Sequence, residues 1–191
     1  MNLEAATVLR CLPGTGCAYS PASSAVRSPR LALEPLGMNM SFSLTVNGDH
    51  LNSTADPVTP LADVLREEFH LTGAKPVCRE GFCGACMVLV DGNPIPSCLM
   101  PVALAQDYDI RTVEGLAANG GLNPIQAALE ACDAVQCGMC FPGMVVSLTH
   151  LLTTLPEATR DDIRAALTGN ICRCTGYERI IEAALLVLAT K

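Results

Sequence analysis

Regular patterning begins at Ser41. Phe42, Leu44 and Val46 alternate with polar residues, the period-two signature of a strand with one buried face. Asn47-Gly48 follows, the pair that best tolerates the positive φ of a tight hairpin. Thr59-Pro60 supplies an N-cap and a first helical residue for a helix with the buried stripe Leu61, Val64, Leu65 and Phe69, and Gly73 suits its exit. Met87–Val90 is predicted as a buried strand ending in Asp91-Gly92, and Tyr108–Val113 as another. Strands around one short helix, with a long cysteine- and glycine-rich loop between them, describe a small α+β unit over residues 41–113.

After Glu114 the apolar period changes from two to 3.6. Asn123-Pro124 starts a helix with Ile125, Ala128, Leu129 and Cys132 on one face, and Pro142 starts another carrying Val145, Leu148, Leu152 and Leu155. A third runs from about Thr159 to Leu167 and stops at Gly169; the last carries Ile180, Ile181, Ala184, Leu185 and Leu188. Four short amphipathic helices over 124–191 predict a bundle. Residues 114–123, with Gly115, Gly120 and Gly121, read as the linker. Residues 1–40 are expected to be an irregular extension, because Pro13, Pro21, Pro29 and Pro35 break any periodic pattern. It is either a tail (or an upstream start) or an arm that orders on a partner subunit.

Composition narrows the function. The chain has 191 residues, half of them hydrophobic, with 4% aromatics and no Trp. Small aliphatic side chains must therefore build two small cores, which gain from metal sites as internal staples. The net charge of −7 and the lack of Lys/Arg clusters argue against nucleic acid as a partner. No apolar run reaches the ~20 residues that span a bilayer. The N-terminal stretch lacks the basic start and apolar middle of an export signal, so a cytoplasmic location is expected, with export on a signal-bearing partner as the other route.

Eleven cysteines raise a choice between disulfides and metal ligation. Eight fall into two tight groups, whereas a disulfide framework spreads its cysteines to close longer loops, so metal ligation is favoured. The first group is Cys78-x4-Cys83-x2-Cys86-x11-Cys98, the plant-type [2Fe–2S] spacing. Its thiolates must converge within one loop, and Gly81, Gly84 and Ala85 are small enough to let the backbone curl and aim N–H groups at sulfur. A structural zinc site usually takes paired C-x2-C knuckles, so spacing favours iron–sulfur here. The second group is Cys137-x2-Cys140 with Cys172-x-Cys174. Two interhelical loops would bring it together at one end of the bundle; taken alone it fits zinc as well as a cluster.

Three runs carry a family resemblance: Glu80-Gly-Phe-Cys-Gly-Ala-Cys86, Gln136-Cys-Gly-Met-Cys-Phe-Pro-Gly-Met144 and Gly169-Asn-Ile-Cys-Arg-Cys-Thr-Gly-Tyr177. In order and over about residues 41–188, they resemble the iron–sulfur subunit of the xanthine dehydrogenase/aldehyde oxidoreductase family of molybdenum hydroxylases. The resemblance implies an N-terminal β-grasp ferredoxin-like domain and a C-terminal four-helix bundle, each with one [2Fe–2S] cluster. It implies a large partner subunit that holds a molybdopterin-type molybdenum cofactor and hydroxylates a heterocycle or aldehyde. Electrons would leave molybdenum for the bundle cluster, pass to the ferredoxin-like cluster, and exit to a flavin (FAD-binding) subunit or a cytochrome. Gln136 and Cys174 would contact the partner's cofactor, Cys174 while also ligating iron.

Departures from the family pattern leave every ligand in place. Val77 stands where Gly is frequent, Met139 where an aromatic is usual, and Met87 where Thr is frequent. The chain has no nucleophile–base constellation, no GxGxxG and no phosphate loop, so bond chemistry is expected in another chain. His50, His70 and His150 are isolated and are expected at surface or packing positions. Cys132 is expected to be a buried thiol rather than a ligand. A zinc-stabilised interaction module and a free ferredoxin are the competing readings; the second leaves the helical half unexplained.

Overall fold

Asn47 and Gly48 take φ of +55° and +90°, and this two-residue turn pairs Phe42–Val46 (β1) antiparallel with Asp49–Ser53 (β2), Val46 opposite Asp49. The computed structural model describes residues 40–117 and 120–190. The extension expected over residues 1–40, with Cys11 and Cys17, lies outside the described residues except for Met40. Asp91-Gly92 repeats the device between Met87–Val90 (β3) and Asn93–Pro96 (β4). Asp109–Arg111 (β5) completes a sheet of order β2-β1-β5-β3-β4, in which β1 and β5 are parallel and the other pairs antiparallel.

The inward face of the sheet, with Phe42, Leu44, Val46, Val88, Val90 and Ile110, packs against Leu61, Val64 and Leu65 of the helix Leu61–Glu67 (α1). This helix starts one residue later than Thr59-Pro60 predicts. Pro60 is extended at φ −57°, ψ 135° and pairs with Pro101 in a β-bridge. The Leu61 amide donates to Met100 O at 2.7 Å and the Val102 amide to Thr59 O at 2.8 Å, so this segment's hydrogen bonds go to the bridge. The last strand is likewise shorter than Tyr108–Val113. Thr112 turns away from the ladder, its amide donating to Asn47 Oδ1 at 2.9 Å and its hydroxyl accepting from Asn47 Nδ2 at 3.0 Å.

The second half contains Pro124–Ala131 (α2), Phe141–Thr154 (α3), Arg160–Ala166 (α4) and Glu178–Ala189 (α5). Their apolar stripes meet in one core with Leu129, Met144, Leu148, Ile163, Ile180 and Ile181 at its centre. Asn123 caps α2 with a reciprocal box: its side chain accepts from the Gln126 amide at 2.8 Å while Gln126 Oε1 accepts from the Asn123 amide at 2.8 Å. Cys132 ends α2 as its C-cap, half-buried against this core. Leu155, expected on the buried stripe of α3, is instead its C-cap and 41% exposed. Pro156 follows it and disfavours a helical backbone at that position.

The halves meet where α3 lies against β3 and β4. His150 Nδ1 hydrogen-bonds Gly92 O at 2.8 Å across this contact. Among the described residues no helix is long and apolar enough to cross a membrane.

Candidate metal centres

The loop carrying the first cysteine group enters from α1 and leaves into β3. Three residues with left-handed backbones, Arg79, Gly81 and Gly84 (φ +58°, +70°, +69°), fold it on itself. Arg79 grips Asp63 of α1 through both its terminal nitrogens, at 2.7 and 3.0 Å, which ties the loop to the helix. The curl aims the Glu80 and Cys83 amides at Cys78 Sγ, each at 3.4 Å. Those two N–H groups, Glu80 first, stabilise the thiolate and bring the Cys78 pKa down to about 6.

Cys86 and Cys98 form the inner pair, buried together with Ala62. Ser97, itself buried, donates through its hydroxyl to Cys86 O at 2.6 Å and fixes the two cysteine-bearing segments together. Burial pushes the Cys86 thiol up to about 12. Cys83 lies close enough to add its charge to that rise, so all four cysteines of the first group share one neighbourhood.

The second group is assembled from the α2–α3 and α4–α5 connections. Cys137 and Cys140 flank Gly138 (φ +77°), and Cys140 is the N-cap of α3. Cys137 Sγ lies 3.5 Å from Cys174 Sγ, both exposed. Cys140 is buried in the helical core, and half-buried Cys172 packs against the same core. The Met139 amide and then the Cys174 thiol hold Cys137 below its ordinary pKa, while Cys174, as the donor of that bond, is raised. Burial pushes Cys140 up to about 12. Burial also opposes ionisation of Cys172, but the Thr175 hydroxyl, 3.0 Å from its sulfur, and nearby amides outweigh it, and Cys172 is lowered. Among the described residues no group of three or more His, Cys, Asp or Glu side chains is placed to hold a metal ion.

The two centres lie back to back. Ile171 donates its amide to Cys83 O at 2.9 Å, and Asn170 Nδ2 donates to Gly84 O at 3.3 Å. A Cβ on Gly84 would land on the backbone oxygen of Gly169, and one on Gly143 of α3 would land on that of Gly84. Only glycine permits this approach. Gln136 and Met139 are exposed beside Cys137 and Cys174, together with Arg173. His50 and His70 are exposed, and His150 serves the contact between the halves. Thr175, Tyr177 and Asn170 organise the second loop although sequence patterning assigned them no role; a hydroxyl residue directly after a ligand was the available signal.

Residues 44–113 match the 2Fe-2S iron-sulfur cluster binding domain, and residues 112–185 the [2Fe-2S] binding domain. The caffeine dehydrogenase subunit gamma of a Pseudomonas species is 44% identical over 152 residues, 78% of this chain and 91% of that one. The xanthine dehydrogenase iron-sulfur-binding subunit of Escherichia coli is 44% identical over 154 residues, 80% and 96% of the two chains. Among solved structures, quinoline 2-oxidoreductase from Pseudomonas putida 86 superimposes with a TM-score of 0.76 at 41% identity, covering 79% of this chain and 94% of that chain.

Proposed function

The chain belongs to the iron–sulfur small subunits of the molybdenum hydroxylase family and is an electron-transfer subunit of an oxidoreductase, and from that premise we propose that it holds two [2Fe–2S] clusters. Cys78, Cys83, Cys86 and Cys98 would bind one, and Cys137, Cys140, Cys172 and Cys174 the other. The observation that carries this reading is how the sulfurs gather: Cys86 and Cys98 are packed together in the interior, and Cys137 Sγ lies 3.5 Å from Cys174 Sγ. A diiron unit takes two thiolates on each iron, so each group supplies a donor set of the right kind and number. When bound, each cluster supplies a site that accepts and releases one electron.

The chain's own residues then have distinct tasks. The Glu80 and Cys83 amides, which already stabilise the Cys78 thiolate, would offset added negative charge at the first centre, and the Thr175 hydroxyl would do so at Cys172. Gly84 and Gly143 let the two cysteine loops touch without intervening side chains. On this reading residues 41–113 are a β-grasp ferredoxin-like domain, 114–123 the linker and 124–191 a four-helix bundle. The large partner subunit would hold the molybdopterin cofactor. Gln136 and Cys174, exposed at the edge of the second centre, are free to face it, and a flavin subunit or a cytochrome would take electrons from the first centre. The location is proposed to be cytoplasmic.

Iron and acid-labile sulfide analysis of the purified complex, with EPR after reduction, tests the proposal. Two distinct [2Fe–2S] signals are expected. Cys83→Ser should remove one and Cys137→Ser the other, each leaving molybdenum bound but blocking steady-state turnover. Zinc in place of iron, or normal turnover in either variant, overturns it.

A further inference from the structure

The loop carrying Cys172 and Cys174 is held from within by one side chain. Tyr177, directly before α5, has φ +68°, an uncommon value for a residue with a Cβ. In this conformation its ring packs against the helical core, and its hydroxyl accepts from the Cys172 amide at 2.8 Å and donates to Asn170 O at 3.1 Å. Its own amide donates to Thr175 Oγ1 at 3.2 Å, the hydroxyl that lies against Cys172 Sγ. Both ends of the ligand-bearing turn are thus tied to one residue.

The phenol also acts beyond its own loop. Asn170, whose carbonyl it holds, is 2% exposed and reaches Gly84 O through Nδ2, while its Oδ1 has no hydrogen-bond partner. The carboxamide's place is therefore set by its backbone and by that one bond. Ile171, between the two atoms that Tyr177 bonds, donates to Cys83 O. The hydroxyl holds the segment that touches the first cysteine loop.

Resting on the two-cluster reading above, we propose that Tyr177 is a positioning residue for the second centre. Its hydroxyl commits the Cys172 N–H away from sulfur and keeps the Asn170–Cys172 segment seated on Cys83 and Gly84. N–H groups directed at cluster sulfurs tune the potential, so whether the Cys172 amide is held by the phenol or turned toward sulfur bears on it. Removing the phenol oxygen frees that amide to turn toward a cysteine sulfur or solvent, while the ring remains to fill the core.

The test compares parent, Tyr177→Phe and Tyr177→Asn complexes by EPR-monitored redox titration, with thermal unfolding alongside. Tyr177→Phe should shift the midpoint potential and EPR line shape of the second centre well beyond any change at the first. Asn suits a left-handed backbone yet cannot reach Cys172, so Tyr177→Asn should show the same selective shift; this separates the hydroxyl from relief of backbone strain. If Tyr177→Phe does not assemble, Tyr177→Asn stands in its place with that expected result. Unchanged potentials and line shapes at both centres, or equal changes at both, overturn the role of Tyr177. A parent complex without two [2Fe–2S] signals instead overturns the reading on which the role rests.

Discussion

Gly48 and Gly84 share a left-handed backbone but not a fate on substitution. Around Gly48 nothing lies within 4 Å of where a Cβ would stand, so Gly48→Ala should cost only the backbone term, about 1 kcal/mol. At Gly84 the added carbon would strike the backbone oxygen of Gly169, which cannot swing aside, and crowd the carboxamide and Cα of Asn170. Gly84→Ala should therefore cost about 2–4 kcal/mol, backbone term and overpacking together. Denaturant unfolding of both variants checks the ranking; equal losses would mean the loops do not press on each other at Gly84. Spacing alone identified both glycines as turn formers. It could not separate them, because the distinguishing atom belongs to a residue 85 positions further along the chain.

At the scale of elements, what was legible was local. Asn123-Pro124 and Thr159 mark helix starts because caps are satisfied within four residues of chain, and both form reciprocal boxes. In the second, the Asp162 carboxylate accepts from the Thr159 hydroxyl at 2.6 Å and amide at 2.8 Å, which, with the hydroxyl first, hold its pKa below 3.8. A depressed folded-state pKa adds stability above the unfolded value and loses it as the pH falls through the folded one. Asp162→Asn should thus be less stable than the parent at pH 7, with the gap closing as the pH falls below the ordinary carboxylate range in paired thermal unfolding; a gap independent of pH would sink the assignment. Elsewhere local rules were overridden. Strand β4 escaped notice because Pro94 and Pro96 argue against a strand, yet β4 is a sheet edge, where missing amides are tolerated. Thr59-Pro60 failed as a helix start because a distant bridge claimed its backbone.

Over the whole molecule, the contact between the halves gives the arrangement its consequence. Gly143, in the first turn of α3, faces Gly84 O, so Gly143→Val should wedge the two cysteine loops apart. Hydrogen exchange read by mass spectrometry should then show residues 41–113 and 124–190 opening independently, where the parent opens them together; coincident exchange in the variant would mean the junction is not what couples them. Sequence by itself determined the period-two and period-3.6 halves, the helix caps, the hairpin turns and the eight cysteines in their two spacings. Each of these is written in residues close along the chain, where propensity and ligand geometry act. Tertiary structure alone decided that Cys137 and Cys174 meet, that Cys83 and Ile171 share a hydrogen bond, and that Tyr177 holds the second loop. The Cys137–Cys174 contact and the Cys83–Ile171 bond join residues 37 and 88 positions apart, Tyr177 acts through one backbone angle, and no local pattern encodes either.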